Sequence, residues 1–147
     1  MKNHEAINKY KTIARILEND RLGEVSVLSR LQKTLLDKKT TLERITKYRS
    51  DYENDNVAKL SKTVPALMIN MIEFLNKLDI TIRDEQQNVE KLNHEIDQVR
   101  ARVDEFDCKL KAINTKIANL INEAKILDEN IEANAIDEMV SITKLRD

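Results

Sequence analysis

The sequence predicts an all-α protein: two long helices in one antiparallel coiled-coil hairpin, with the second helix longer and protruding as a C-terminal overhang. Three observations carry that expectation. From Met68 to Ile131, apolar residues recur in alternating three- and four-residue steps over nineteen positions, of which only Glu85 is polar. A seam sustained over more than eight heptads marks a coiled-coil helix rather than the helix of a globular core. The chain also has one Gly, one Pro, no Trp and 35% charged residues. Sheet-containing domains need many turns, and turns need Gly and Pro for their dihedrals, so nearly all of this chain must be helix. Finally, a weaker copy of the same repeat precedes an Asn- and Asp-rich stretch that ends at the one proline.

The first helix is expected over about residues 3–54. Its seam runs from Ile7 to Tyr52, and ten of the fourteen positions are apolar or Tyr; the exceptions are Arg21, Glu24, Lys38 and Arg49. Gly23 interrupts this helix at a cost of about 1 kcal/mol relative to Ala, which makes it the weak point of the segment and a candidate bend. The turn is expected over about residues 55–64. Pro65 suits the first turn of a helix, where its missing N–H would have no partner, and Ser61 or Thr63 is the candidate N-cap. The second helix then spans about residues 65–145, and the chain, 1–147, reads as a single antiparallel coiled-coil domain.

A short connection makes the two helices antiparallel neighbours. Folding about residue 60 pairs positions whose numbers add up to 120, so that Tyr52 faces Met68, Ile45 faces Leu75 and Leu28 faces Leu92. The same register sets Ala14 against Phe106, small against large, which is how layers fill without voids. It also puts Glu85 one layer from Lys38, a polar pair able to fix the alignment. The first helix, at about 50 residues and roughly 75 Å, is shorter than the second, at about 80 residues and roughly 120 Å. It is therefore expected to end opposite residues 113–117. Ile117, Leu120, Ala124, Leu127 and Ile131 would then lack an intramolecular partner, and Ile121, Ile126 and Ile136 add apolar surface. This overhang is expected to insert into, or pair with, another protein, with weak self-association as the alternative.

The net charge of −1 excludes nucleic-acid binding driven by overall charge. Residues 1–60 hold 13 Lys/Arg against 9 Asp/Glu, and residues 61–147 hold 12 against 17, opposite biases that suit two helices packed together. Cys108 is single, so no intramolecular disulfide forms and a reducing compartment is the simpler home. No apolar stretch approaches the roughly 18 to 20 residues of a membrane span, and no signal peptide is recognisable; a cytoplasmic location is expected. His4 is terminal, while His94 and Cys108 fall on the outer face without partners at ligand spacing. With no phosphate-cradling glycine loop and no triad, no catalytic, cofactor-binding or metal-ligating residue is expected, and the protein is read as non-enzymatic.

Tyr48 and Phe74 both fall just outside the seam, and antiparallel pairing brings them together near the turn beside Tyr52. Three of the five aromatics thus gather at one place, and aromatic side chains are enriched in interface hot spots. Here the sequence resembles a family. Ile45-Thr-Lys-Tyr48-Arg-Ser-Asp-Tyr52 is similar to the aliphatic-x-x-Tyr-x-x-x-Tyr pattern near the end of the first helix in FliJ, the flagellar type III export protein. Met71-Ile-Glu-Phe74-Leu-Asn-Lys-Leu78 resembles the segment after that family's turn, and Ile136-Asp137-Glu138-Met139 its C-terminal acidic pair.

The resemblance implies a coiled-coil stalk of the flagellar export apparatus, similar in fold to the γ-subunit coiled coil of rotary ATP synthases. Such a stalk binds the hexameric export ATPase (FliI-type) through its terminal end and promotes ring assembly. It also contacts the cytoplasmic domain of the export gate (FlhA-type), binds the ATPase regulator (FliH-type) and cycles substrate chaperones, peripherally at the inner membrane. Carried over by residue, the gate-binding candidates are Ile45, Tyr48, Tyr52, Phe74 and Leu78; the overhang residues Ile117, Leu120, Ile121, Leu127 and Ile131, with the acidic pair Asp137 and Glu138, are the ring-binding candidates. Thr41 and Glu85 depart from the residues expected at their positions. Residues 123–138 hold six carboxylates against Lys125, unfavourable toward a helix C-terminus, and a cationic receiving surface would relieve them. A virulence-secretion stalk of the YscO type and a generic structural tether are the alternatives.

Overall fold

The computed structural model describes residues 2–60 and 64–146. Two helices, α1 (Lys2–Leu60) and α2 (Pro65–Arg146), pack against each other as an antiparallel hairpin, and no strand occurs among the described residues. The chain divides into two compact units, one formed by Met1–Gly23 with Arg102–Asp147 and the other by Glu24–Ala101.

The unit Glu24–Ala101 holds the end of α1 and the start of α2. Its best-covered side chains are Ile96 and Val99, each 3% exposed. The seam positions of both helices, from Leu28 to Tyr52 and from Met68 to Leu92, are half-buried. A two-helix seam is only one side chain deep, so partial burial is the rule along it. The polar seam pair is joined, with Lys38 Nζ 3.6 Å from Glu85 Oε2 and Asn88 Nδ2 donating to Glu85 Oε1 at 3.4 Å.

The turn differs from expectation. α1 continues through residues 55–60, because local side chains hold this Asn- and Asp-rich stretch helical. Arg49 bridges to Glu53 one turn on, and Asn56 Nδ2 donates to the Tyr52 carbonyl at 2.7 Å. At the start of α2, the Val64 carbonyl accepts from the N–H groups of Leu67 at 2.9 Å and Met68 at 3.2 Å. Val64 therefore occupies the N-cap position, with Pro65 at the first helical position. Ser61 and Thr63, the expected caps, lie outside the described residues.

In the unit Met1–Gly23 with Arg102–Asp147, Ile7 and Leu120 are the covered pair, each 7% exposed. Tyr10, Ala14 and Leu17 of α1 and Val103, Phe106, Leu110, Ile113, Ile117 and Ala124 of α2 are half-buried. This corrects the expected register by one heptad. With 59 residues in α1 and a shorter connection, the fold-back point moves toward α2. The nearest alignment that still sets a against d then brings Ile7 to Leu120 rather than to Ile113. It also corrects the overhang. Ile117, Leu120 and Ala124 are covered, and the uncovered stretch begins beyond Ala124, where Leu127 is 52% and Ile131 58% exposed. Gly23 is accommodated within α1 without a positive φ.

Candidate functional site

The gate-binding candidates lie in the unit Glu24–Ala101, and the hairpin brings their rings together. Tyr48 and Tyr52 occupy one face of α1 a turn apart, with ring centroids 6.4 Å apart and tilted by 30°. Phe74 of α2 meets both, Tyr52 at 4.8 Å and 60° and Tyr48 at 6.4 Å and 84°. These edge-to-face arrangements set the positive rim of one ring against the negative face of another. Tyr52, Ile45 and Leu78 are half-buried in the seam, while Tyr48 is 54% and Phe74 36% exposed. The seam members thus support the cluster from beneath, and the outer two rings present it to solvent.

Arg49 anchors the same turn of α1. Its Nε donates to Asp79 Oδ1 at 2.8 Å and its Nη2 to Asp79 Oδ2 at 3.3 Å, while Nη1 binds Glu53. The hydrogen bond to Asp79 is the main cause that holds the guanidinium above its ordinary pKa, with the charges of Asp79 and Glu53 adding to it against desolvation. A planar fork gripping a carboxylate fixes both partners more tightly than a lysine would. It thereby fixes the α1 turn that carries Tyr48 and Tyr52. Sequence reasoning passed over this pair, noting Arg49 only as a break in the seam. The signal was an arginine at a seam position with an aspartate one place outside the partner's seam. Thr41 is occupied locally, its hydroxyl donating to the Asp37 carbonyl at 3.0 Å.

The ring-binding candidates lie in the other unit and are not equivalent. Leu120 is buried and Ile117 half-buried beneath α1. Ile121 is 46% exposed and borders a groove whose floor is Ile7 and Ala124, flanked by His4, Lys11 and Asp128. Leu127, Ile131, Asp137 and Glu138 are exposed on the uncovered part of α2. Three further exposed apolar residues there were not singled out from the sequence, Val140, Ile142 and Leu145, and Met139, also exposed, entered only within the acidic-pair motif. They follow a different step from the heptad, which hid them. On a helix of 3.6 residues per turn, Leu127, Ile131, Ala135, Met139 and Ile142 share one face, while Ile126, Ala133, Ile136 and Val140 share roughly the opposite one.

No group of three or more His, Cys, Asp or Glu residues suited to a metal ion occurs among the described residues. His94 is engaged with Gln98 at 3.2 Å, and Cys108 is exposed and free. No described helix is long and apolar enough to cross a membrane. What these surfaces offer chemically is contact: an aromatic cluster in one unit and an acidic helix with apolar faces in the other.

No curated protein and no solved structure matches the chain. The family model described as flagellar FliJ protein matches residues 8–146.

Proposed function

This chain belongs to the FliJ family and so to the components of the flagellar export apparatus, and we propose that it works there as a non-enzymatic stalk with two contact surfaces. The uncovered end of α2 engages the export ATPase ring and promotes its assembly. The cluster of Tyr48, Tyr52 and Phe74 engages the cytoplasmic domain of the export gate, with the ATPase regulator and substrate chaperones as further partners. The observation that carries this reading is the uncovered tail. A helix with apolar residues on opposite faces expects to be surrounded rather than laid on one surface, and Leu127, Ile131, Met139, Val140 and Ile142 are each about half or more exposed. Six carboxylates in residues 123–138 favour a receiving surface that carries cations.

ATPase activity and ring formation with variants of the full chain test the first contact. Ile131→Asp with Met139→Asp should abolish stimulation, because each places a charge where an apolar contact is needed. A chain ended after Lys125 should behave alike, since that cut preserves the covered Ile7 and Leu120 layer. Stimulation equal to the parent's in both would refute the assignment of the tail. For the second contact, Tyr48→Ala with Phe74→Ala should remove gate binding and leave helicity nearly unchanged, because both rings are substantially exposed. Gate binding that survives the pair would exclude the cluster.

A further inference from the structure

The seam decides which faces of α1 and α2 meet, but not where along the helices they meet. Sliding one helix by seven residues returns every a and d position to an equivalent one. In the alignment that the Arg21–Asp107 and Arg49–Asp79 contacts set, the heptads place Leu17 opposite Leu110 and Ile45 opposite Ile82; after a one-heptad slip they would face Val103 and Leu75. Along the length they share, both alignments fill the layers with aliphatic pairs, so the pairs themselves do not choose between them.

Two contacts of the same geometry occur, one in each unit. Arg21 Nε donates to Asp107 Oδ1 at 2.5 Å, and Arg49 Nε donates to Asp79 Oδ1 at 2.8 Å. Each arginine occupies an a position of α1, and each aspartate stands one residue outside the seam of α2. The two arginines are four heptads apart, and so are the two aspartates. Each arginine is also steadied on its own helix, Arg21 by Glu18 and Arg49 by Glu53.

We propose that these two Arg–Asp clips select the register of the hairpin. In the slip that shortens the overlap, Arg21 would meet Arg100 where it now meets Asp107, and Arg49 would meet Ile72. In the opposite slip the two arginines would meet Asn114 and Gln86. Only the observed alignment gives both guanidiniums a carboxylate, and one alternative sets like charges together. The Lys38–Glu85 pair does not discriminate. Lys38 faces Val89 now and would face Ile82 after the shortening slip, and Glu85 lies between those two positions within reach of a flexible lysine. The consequence is local to α2. The shortening slip would uncover Leu120 and add a heptad to the exposed tail, so the clips set how much of α2 is left for a partner.

Disulfide trapping in a Cys108→Ser background tests this. Ile7→Cys with Leu120→Cys reports the observed alignment, and Ile7→Cys with Ile113→Cys reports the slipped one. The parent should cross-link through the first pair and hardly through the second. Replacing the clips by Arg21→Leu and Arg49→Leu keeps the seam apolar, so helicity should persist, while the slipped cross-link should rise about tenfold with both ion pairs gone. Inverting both clips, Arg21→Asp with Asp107→Arg and Arg49→Asp with Asp79→Arg, should return the slipped yield to the parent level. An unchanged slipped yield in the leucine variant would overturn the proposal, and so would failure of the inverted clips to restore the parent pattern.

Discussion

Substituting Leu120 separates the covered part of α2 from the exposed part. Leu120 is 7% exposed, opposite an Ile7 of equal coverage. Leu120→Ala removes three carbons' worth of apolar surface, at about 0.8 kcal/mol per buried methylene, which gives about 2 kcal/mol. The seam is only two helices thick, so the gap can close by small movements and adds little of the cavity penalty found in a globular core. Ile131→Ala is the matched control. Ile131 is 58% exposed, and Ala is the better helix former, so the change should stay within about 0.5 kcal/mol of the parent. Urea unfolding followed by helicity measures both. If the two variants lost stability equally, or Leu120→Ala cost nothing, α1 would not reach Leu120 and the alignment described above would be wrong.

Gly23→Ala should stabilise the chain by about 1 kcal/mol through helix propensity. No heavy atom lies within 4 Å of an added Cβ and the backbone needs no positive φ, so a loss of stability in urea unfolding would contradict the packing described. Self-association through the tail should rise with salt, because the six carboxylates of residues 123–138 repel one another and that repulsion is screened over about 10 Å at 0.1 M ionic strength. Sedimentation at low and high salt checks it, and an apolar tail whose association fell with salt would refute the balance of forces argued here.

The faces of the helices were legible in the sequence and the alignment was not, for one physical reason. Burial repeats with the heptad, so each seam position from Ile7 to Tyr52 could be placed from its neighbours, and all are at least half-buried. Even Arg21, Lys38 and Arg49 take part, their stems covering the seam while their charges reach carboxylates of α2. A shift of seven residues changes none of those burials. What distinguishes alignments is the length of the connection and a few ionic contacts. The first was hidden in residues 51–60, where a composition typical of turns is kept helical by Arg49 with Glu53 and by Asn56 with the Tyr52 carbonyl. The second lay in Arg21 with Asp107 and Arg49 with Asp79, each a charge that reads from the sequence only as a break in the seam or as part of a solvated face. The aromatic cluster survived the error because Phe74 is large enough to touch Tyr48 and Tyr52, which lie a full turn apart.

The tail was misread at its start and under-read at its end, and the two faults have different origins. Assigning Ile117 and Leu120 to a partner followed from the slipped alignment. Val140 and Ile142 went unnamed because the apolar positions were followed along the heptad seam, which ends at Ile131. After Ile131 the seam positions fall on Asn134, Glu138 and Ser141, so a second heptad helix would find polar groups where it needs apolar ones. The apolar residues instead advance by Ile131, Ala135 and Met139 in steps of four, which rotates the stripe around the helix rather than along a coiled-coil seam. A chain built to dimerise through this segment would keep the heptad. Abandoning it beside six carboxylates argues for a partner of different shape and opposite charge.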